Sequence, residues 1–170
     1  MVKKVAVNSS DIANILFNYF ADSANIEIIQ TDFAQIDNNY DLICVEKEEG
    51  EISEVLASSP EVINVHYSLL PAFSGKDAIK NSYTSGVKVG GVTIHKVEPE
   101  NFYGKIYAQY PVLIGNTTHF DEYKKELEAV RNKILPVVVD SILNDRVFDF
   151  SDLMKNSCHS GCGNCKGCSH

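Results

Sequence analysis

Asn64-Val65-His66-Tyr67-Ser68-Leu69-Leu70-Pro71-Ala72-Phe73-Ser74-Gly75 is the stretch from which the rest of the chain can be read. The residues leading into it, Val62 to His66, have the apolar, β-branched composition of a short buried strand. Ser68-Leu69-Leu70-Pro71 then leaves that strand as a loop. On a strand, positions i and i+2 share a face, so Asn64 and His66 point together. They lie at the carboxyl end, where open α/β sheets take their ligands. An amide there can donate to a developing oxyanion, and an imidazole can polarise or protonate it. Taken alone, an Asn-x-His at a strand end is more often structural.

Upstream, Lys4 to Val7, Ile26 to Gln30 and Asp41 to Val45 read as buried strands. Asn8-Ser9-Ser10 starts a helix whose apolar face is Ile12, Ile15, Leu16, Tyr19 and Phe20. Asp32 to Asn39 reads as a loop or a poor helix, and Glu46-Lys47-Glu48-Glu49-Gly50-Glu51 as an exposed acidic turn. A short helix is expected over Ile52 to Ala57, ending near Pro60. Downstream, Lys76 to Tyr83 reads as helix, with Gly86 placed to stop it. Val87 to Val97 and Lys105 to Ile114 are longer β segments, a hairpin or a bent pair. Thr118-His119-Phe120-Asp121 has the form of a capping box. A long helix should follow, with Tyr123, Leu127, Val130 and Ile134 as its buried stripe. Pro136 should kink or break it, leaving Val137 to Leu143 as an apolar turn. Strands alternating with helices imply an α/β fold with a mostly parallel sheet covered on both faces.

The totals fit one domain over residues 1–150: 170 residues in all, 44% apolar and 22% charged. Net charge is -8, from 23 acidic and 15 basic residues without basic clusters, so a nucleic-acid partner is not expected. Apolar runs are too short to span a membrane, and Met1-Val2-Lys3-Lys4 runs straight into a strand without a secretory segment. The expectation is a cytoplasmic protein. Of five cysteines, Cys44 sits in an apolar strand and reads as core. The others, Cys158, Cys162, Cys165 and Cys168, form a C-x3-C-x2-C-x2-C run in a tail over 151–170. Four thiolates are a full ligand set for zinc or an iron-sulfur cluster, with His159 and His170 as spare ligands. A thiol-trafficking role, or a tail without ligand, are the alternatives.

The Asn64 to Gly75 stretch resembles the signature of the formyltetrahydrofolate-dependent formyltransferases, and Leu69-Leu70-Pro71-Ala72-Phe73 is similar to the branch acting on glycinamide ribonucleotide. Gly86 to His95 is similar to the next family segment, and Gly104 to Gln109 and the Pro-containing final helix keep the family order. The resemblance covers about Asp41 to Phe150. It implies a Rossmann-like, three-layer formyltransferase fold and transfer of a formyl group from 10-formyltetrahydrofolate, as co-substrate, to a small primary amine in purine biosynthesis. It implies small-molecule substrates as partners and leaves the oligomeric state open. Asn64 and His66 would be the catalytic pair. His95, Glu98, Glu100, Gly104, Ser9 and Ser10 would lie at the folate and substrate sites.

Four departures bear on activity. The family's catalytic Asp position falls on Phe102, which cannot hold an imidazolium, leaving Glu98 and Glu100 as the nearby carboxylates. The family's apolar pterin wall is replaced by the acidic 46–51 segment. The turn Val7-Asn8-Ser9-Ser10-Asp11 lacks the family's glycines, so Ser9 or Ser10 reads first as a helix cap. At least one βα unit is missing between Gln30 and Asp41, a trimmed N-terminal half. Two readings follow: an impaired or altered formyltransferase, or a catalytically degraded relative serving as a metal-binding or regulatory module through its tail.

Overall fold

The computed structural model describes residues 1–32, 36, 39–48, 52, 61–98, 102–151 and 153. Six strands form one sheet: β1 (Lys3–Val7), β2 (Ile26–Gln30), β3 (Leu42–Val45), β4 (Glu61–His66), β5 (Val89–Lys96) and β6 (Ile106–Leu113), in the order β2-β1-β3-β4-β5-β6. The pairings from β2 to β4 are parallel. Those of β4 with β5 and β5 with β6 are antiparallel, so of the two arrangements open for the long segments, a hairpin or a bent pair, they form the hairpin. Three helices are described: α1 (Ser10–Tyr19), α2 (Ala78–Thr84) and α3 (Phe120–Leu143). None of the described helices is long and apolar enough to cross a membrane.

Alternation along the strands sorts the core into two layers. Val5, Val7, Leu42, Cys44, Ile63, Val65, Val92 and Ile94 pack against α1 and α3. Ala6, Ile43, Val45 and Val62 face the other way, onto Ile36, Tyr40, Ile52, Val97 and Phe102. Asn64 and His66 share the parity of Val62 and belong to this second face. All but Ile52 of the helix expected over Ile52 to Ala57 lies outside the described residues.

Two expectations at α3 are corrected. The cap is one residue later than Thr118: the Glu122 carboxylate accepts from the His119 N–H at 3.0 Å, while Thr118 Oγ1 accepts from Gly115 N–H in the preceding turn. Pro136 does not break the helix, which runs on to Leu143. Residues 134–139 are all buried. A Pro inside a helix costs about 3 kcal/mol, whereas each buried Ile, Leu or Val side chain returns about 1.5–3 kcal/mol. Packing therefore outweighs the lost hydrogen bond.

Candidate active site

The carboxyl end of β4 carries the pair read from the sequence, and β5 adds a third member. Asn64 lies directly opposite His95 in the antiparallel register. Asn64 Nδ2 donates to the Lys47 carbonyl at 3.1 Å and lies 3.3 Å from His95 Nε2. Its Oδ1 accepts from Lys47 N–H at 2.9 Å. His95 Nδ1 is 3.0 Å from the Lys96 carbonyl. A carbonyl only accepts, so Nδ1 carries the proton and Nε2 is the acceptor for Asn64. Both amide hydrogens of Asn64 are thus committed. Donation to an oxyanion requires one of them to change partner.

His66 lies beside this pair, its ring 6.4 Å from that of His95. Its Nε2 is 3.1 Å from the Phe73 carbonyl, which by the same argument fixes the proton on Nε2 and leaves Nδ1 as the basic nitrogen. The loop that supplies this carbonyl is held from several sides. Thr93 Oγ1 donates to Ser68 O and accepts from Leu70 N–H, Gln109 Nε2 donates to Leu70 O, and Ser68 Oγ donates to Ala72 O. The Leu70–Pro71 peptide is cis, and Phe73 has φ 53°. Gly90 and Gly91 on β5 are required by close approach. A Cβ at Gly91 would lie 2.5 Å from Leu69 Cδ2, and one at Gly90 1.8 Å from the Tyr123 hydroxyl oxygen.

Burial lowers the pKa of both histidines. For His66 the Phe73 carbonyl and the charge of Glu48 oppose this in part; for His95 the Lys96 carbonyl opposes it and His66 adds to it. Both imidazoles are therefore neutral near pH 7. Among the described residues, the carboxylate whose charge reaches His66 is Glu48 rather than Glu98. Glu98 and Gly104 sit together at the turn after β5, where Gly104 N–H donates to Lys96 O. Phe102 packs edge-on against His95 with ring centroids 5.6 Å apart, an apolar contact where the family pattern has a carboxylate.

A cavity of about 490 Å³ opens beside His66. Its walls come from the exit of β3 (Glu46, Lys47, Glu48), from Tyr67, from Gly75 and Asp77 to Lys80, and from Phe120 and Lys124 on α3. In the acidic segment after β3, residues 49–51 lie outside the described residues and Glu48 is exposed as expected, but Glu46 departs from an exposed turn. Glu46 is partly buried, accepts from the Tyr67 hydroxyl at 2.7 Å and pairs with Arg131 at 2.6 Å. Glu48 accepts from Asp77 N–H at 3.0 Å. Ser9 caps α1, Ser10 is its first residue, and neither lines the cavity. Glu100 and the cysteines 158, 162, 165 and 168 lie outside the described residues. Among the described residues no group of three His, Cys, Asp or Glu could hold a metal ion.

A sequence profile described as "Formyl transferase" matches residues 40–139, more than half of the chain. The chain belongs to the formyl transferase family. Within it, phosphoribosylglycinamide formyltransferase of Bacillus subtilis (strain 168) is 35% identical over 83 residues, which is 49% of this chain and 43% of that protein. Formyltetrahydrofolate deformylase of Haemophilus influenzae is 32% identical over 100 residues, 58% of this chain and 36% of that protein. The matches thus span less than half the length of these relatives. Among solved structures, phosphoribosylglycinamide formyltransferase of Campylobacter jejuni superposes with a TM-score of 0.68 at 25% identity, over 84% of this chain and 98% of that one. A 4-N formyltransferase from Francisella tularensis gives 0.70 at 19% identity, over 86% and 71%, a likeness of fold. Asn64, His66, His95 and Phe102 all fall inside the part matched to the formyl transferase profile, whereas Ser9, Ser10 and the cysteine run fall outside it.

Sequence reading missed Lys47, Glu48, Tyr103 and the Glu46–Tyr67–Arg131 group. One signal was present. Arg131 lies four residues after Leu127 and three before Ile134, a charge on the stripe that otherwise faces the core.

Proposed function

We propose that this formyl transferase domain moves a formyl group from a 10-formyltetrahydrofolate donor to a small primary amine, with glycinamide ribonucleotide as the expected acceptor. The observation that carries this reading is His66: an imidazole of fixed tautomer at the carboxyl end of the sheet, facing a cavity and standing beside Asn64. The acceptor nitrogen attacks the formyl carbon, the carbonyl π pair moves onto oxygen, and a C–N bond forms. Asn64 turns one amide hydrogen from its present partner to that oxyanion. His66 Nδ1 takes the proton lost by the amine and returns it to N10 of the donor as the N10–C bond breaks. Glu48 supplies the negative charge that favours the transient imidazolium, in place of a carboxylate at 102.

The test is turnover of 10-formyltetrahydrofolate with glycinamide ribonucleotide by the purified chain, alongside calorimetry of donor binding. His66→Ala is expected to abolish transfer while leaving donor binding in place. Absence of donor binding by the parent chain overturns the reading. The Phe102–His95 contact favours a second reading, a scaffold that binds the donor without turning it over. Under it, calorimetry is positive and turnover stays at the uncatalysed rate.

A further inference from the structure

Tyr103, which no motif reading singled out, touches every part of the histidine cluster. Its ring centroid is 5.5 Å from that of His66, at 73°, and 5.5 Å from that of His95, at 45°. Phe102 stands edge-on to it at 4.9 Å. Tyr103 is half-buried, while His66 is 5% and His95 0% exposed, so the Tyr103 ring is the outer layer over both imidazoles. Its hydroxyl accepts from the Gly75 N–H. Gly75, at φ +92°, lies two residues beyond Phe73, whose carbonyl receives the His66 Nε2 proton.

We propose that Tyr103 is the positioning residue of His66: its ring covers both imidazoles on the side that does not line the cavity, and its hold on Gly75 keeps the Phe73 carbonyl on His66 Nε2. The proposal deepens the formyl-transfer reading, because the tautomer so fixed is the one that leaves Nδ1 to accept the amine proton. It also gives the position beside Phe102 a task that does not need charge. A carboxylate orients an imidazole by a hydrogen bond. Here a ring wall and a latched loop do so.

The test is an NMR titration of the histidine ring protons in the full chain, without donor or amine. The titratable groups beside His66 are His95 and Tyr103, with Glu48 acting on it through its charge, and Glu46, Tyr67, Asp77, Lys47, Lys80 and Lys124 line the same cavity. All except Tyr103 are kept in the variants. The parent His66 should titrate below the ordinary 6.5. Tyr103→Ala, by admitting water, should raise that midpoint by about half a pH unit or more, and His95 with it. Tyr103→Phe keeps the ring and releases Gly75, so the His66 midpoint should not rise but move down as the Phe73 carbonyl loosens, while hydrogen exchange at the Gly75 amide speeds up. A folded Tyr103→Ala chain with an unmoved His66 midpoint overturns the proposal. So does a Tyr103→Phe chain with unchanged Gly75 exchange, which keeps the test decisive where Tyr103→Ala does not fold. Because no ligand is used, the titration can succeed while donor binding fails, and the two failures are told apart.

Discussion

Replacing Asn64 by Ala should destabilise the domain well beyond what loss of one buried amide suggests. Asn64 is fully buried and satisfies three groups at once: Lys47 N–H at 2.9 Å, Lys47 O at 3.1 Å and His95 Nε2 at 3.3 Å. Lys47 is only partly buried, so water can replace its two contacts, and each is worth about 1 kcal/mol. His95 is fully buried, and an orphaned ring nitrogen there costs about 1–3 kcal/mol. The total, about 3–5 kcal/mol, corresponds to a fall in Tm of at least about 6 °C for a chain of this size. Thermal melts followed by circular dichroism measure it. Asn64→Asp sharpens the test. Its carboxylate still accepts from Lys47 N–H, but its other oxygen meets the Lys47 carbonyl and the His95 lone pair, both acceptors. The folded chain therefore keeps the carboxyl protonated to higher pH than the ordinary Asp value of about 3.9. The folded state then binds more protons than the unfolded one, so stability must fall as pH rises above about 4. An Asn64→Ala chain melting within about 2 °C of the parent, with no added pH dependence in Asn64→Asp, would refute the network.

Other consequences are as direct. Gly90→Ala places a Cβ 1.8 Å from the Tyr123 hydroxyl oxygen and 2.7 Å from its Cζ, and Tyr123 is fully buried. It should cost about 1–3 kcal/mol by urea denaturation, partly relieved in combination with Tyr123→Phe. Arg131→Met leaves Glu46 without its cation. Because the Glu46 side chain is 28% exposed, the loss should stay near about 2–3 kcal/mol, below that of a fully buried pair, and adding Glu46→Gln should recover part of it; a strictly additive double-mutant cycle would show that the pair does not couple. His66 and His95 both have pKa values lowered from 6.5, so the folded state binds fewer protons than the unfolded one. Stability should be retained above 6.5 and lost as pH falls below it, and His66→Gln should flatten that loss in urea midpoints measured across the range.

Much of the site was legible because it is local. Asn64 and His66 were placed on one face by a period of two, and that face is where both are found, each in contact with His95. The four parallel strands β1 to β4, the two long segments β5 and β6 and the long α3 follow from runs and stripes of apolar residues. The run through Pro136 was misread because a single-residue propensity was weighed without the burial of its neighbours. Glu46 was misread as part of an exposed turn for a related reason, since it and its partner Arg131 stand 85 residues apart.

The amino-acid sequence by itself determined the alternation of strands and helices, the family resemblance and the shared face of the amide and imidazole, because periodicity acts over a few residues. The tertiary structure alone decided which hydrogen each of them gives away. The antiparallel register sets Asn64 opposite His95, the exit of β3 brings Lys47 onto the Asn64 amide, and the turn after β5 lays Tyr103 over both rings. Those partners come from segments joined only through the sheet. Their meeting depends on strand order and register, which no local pattern encodes.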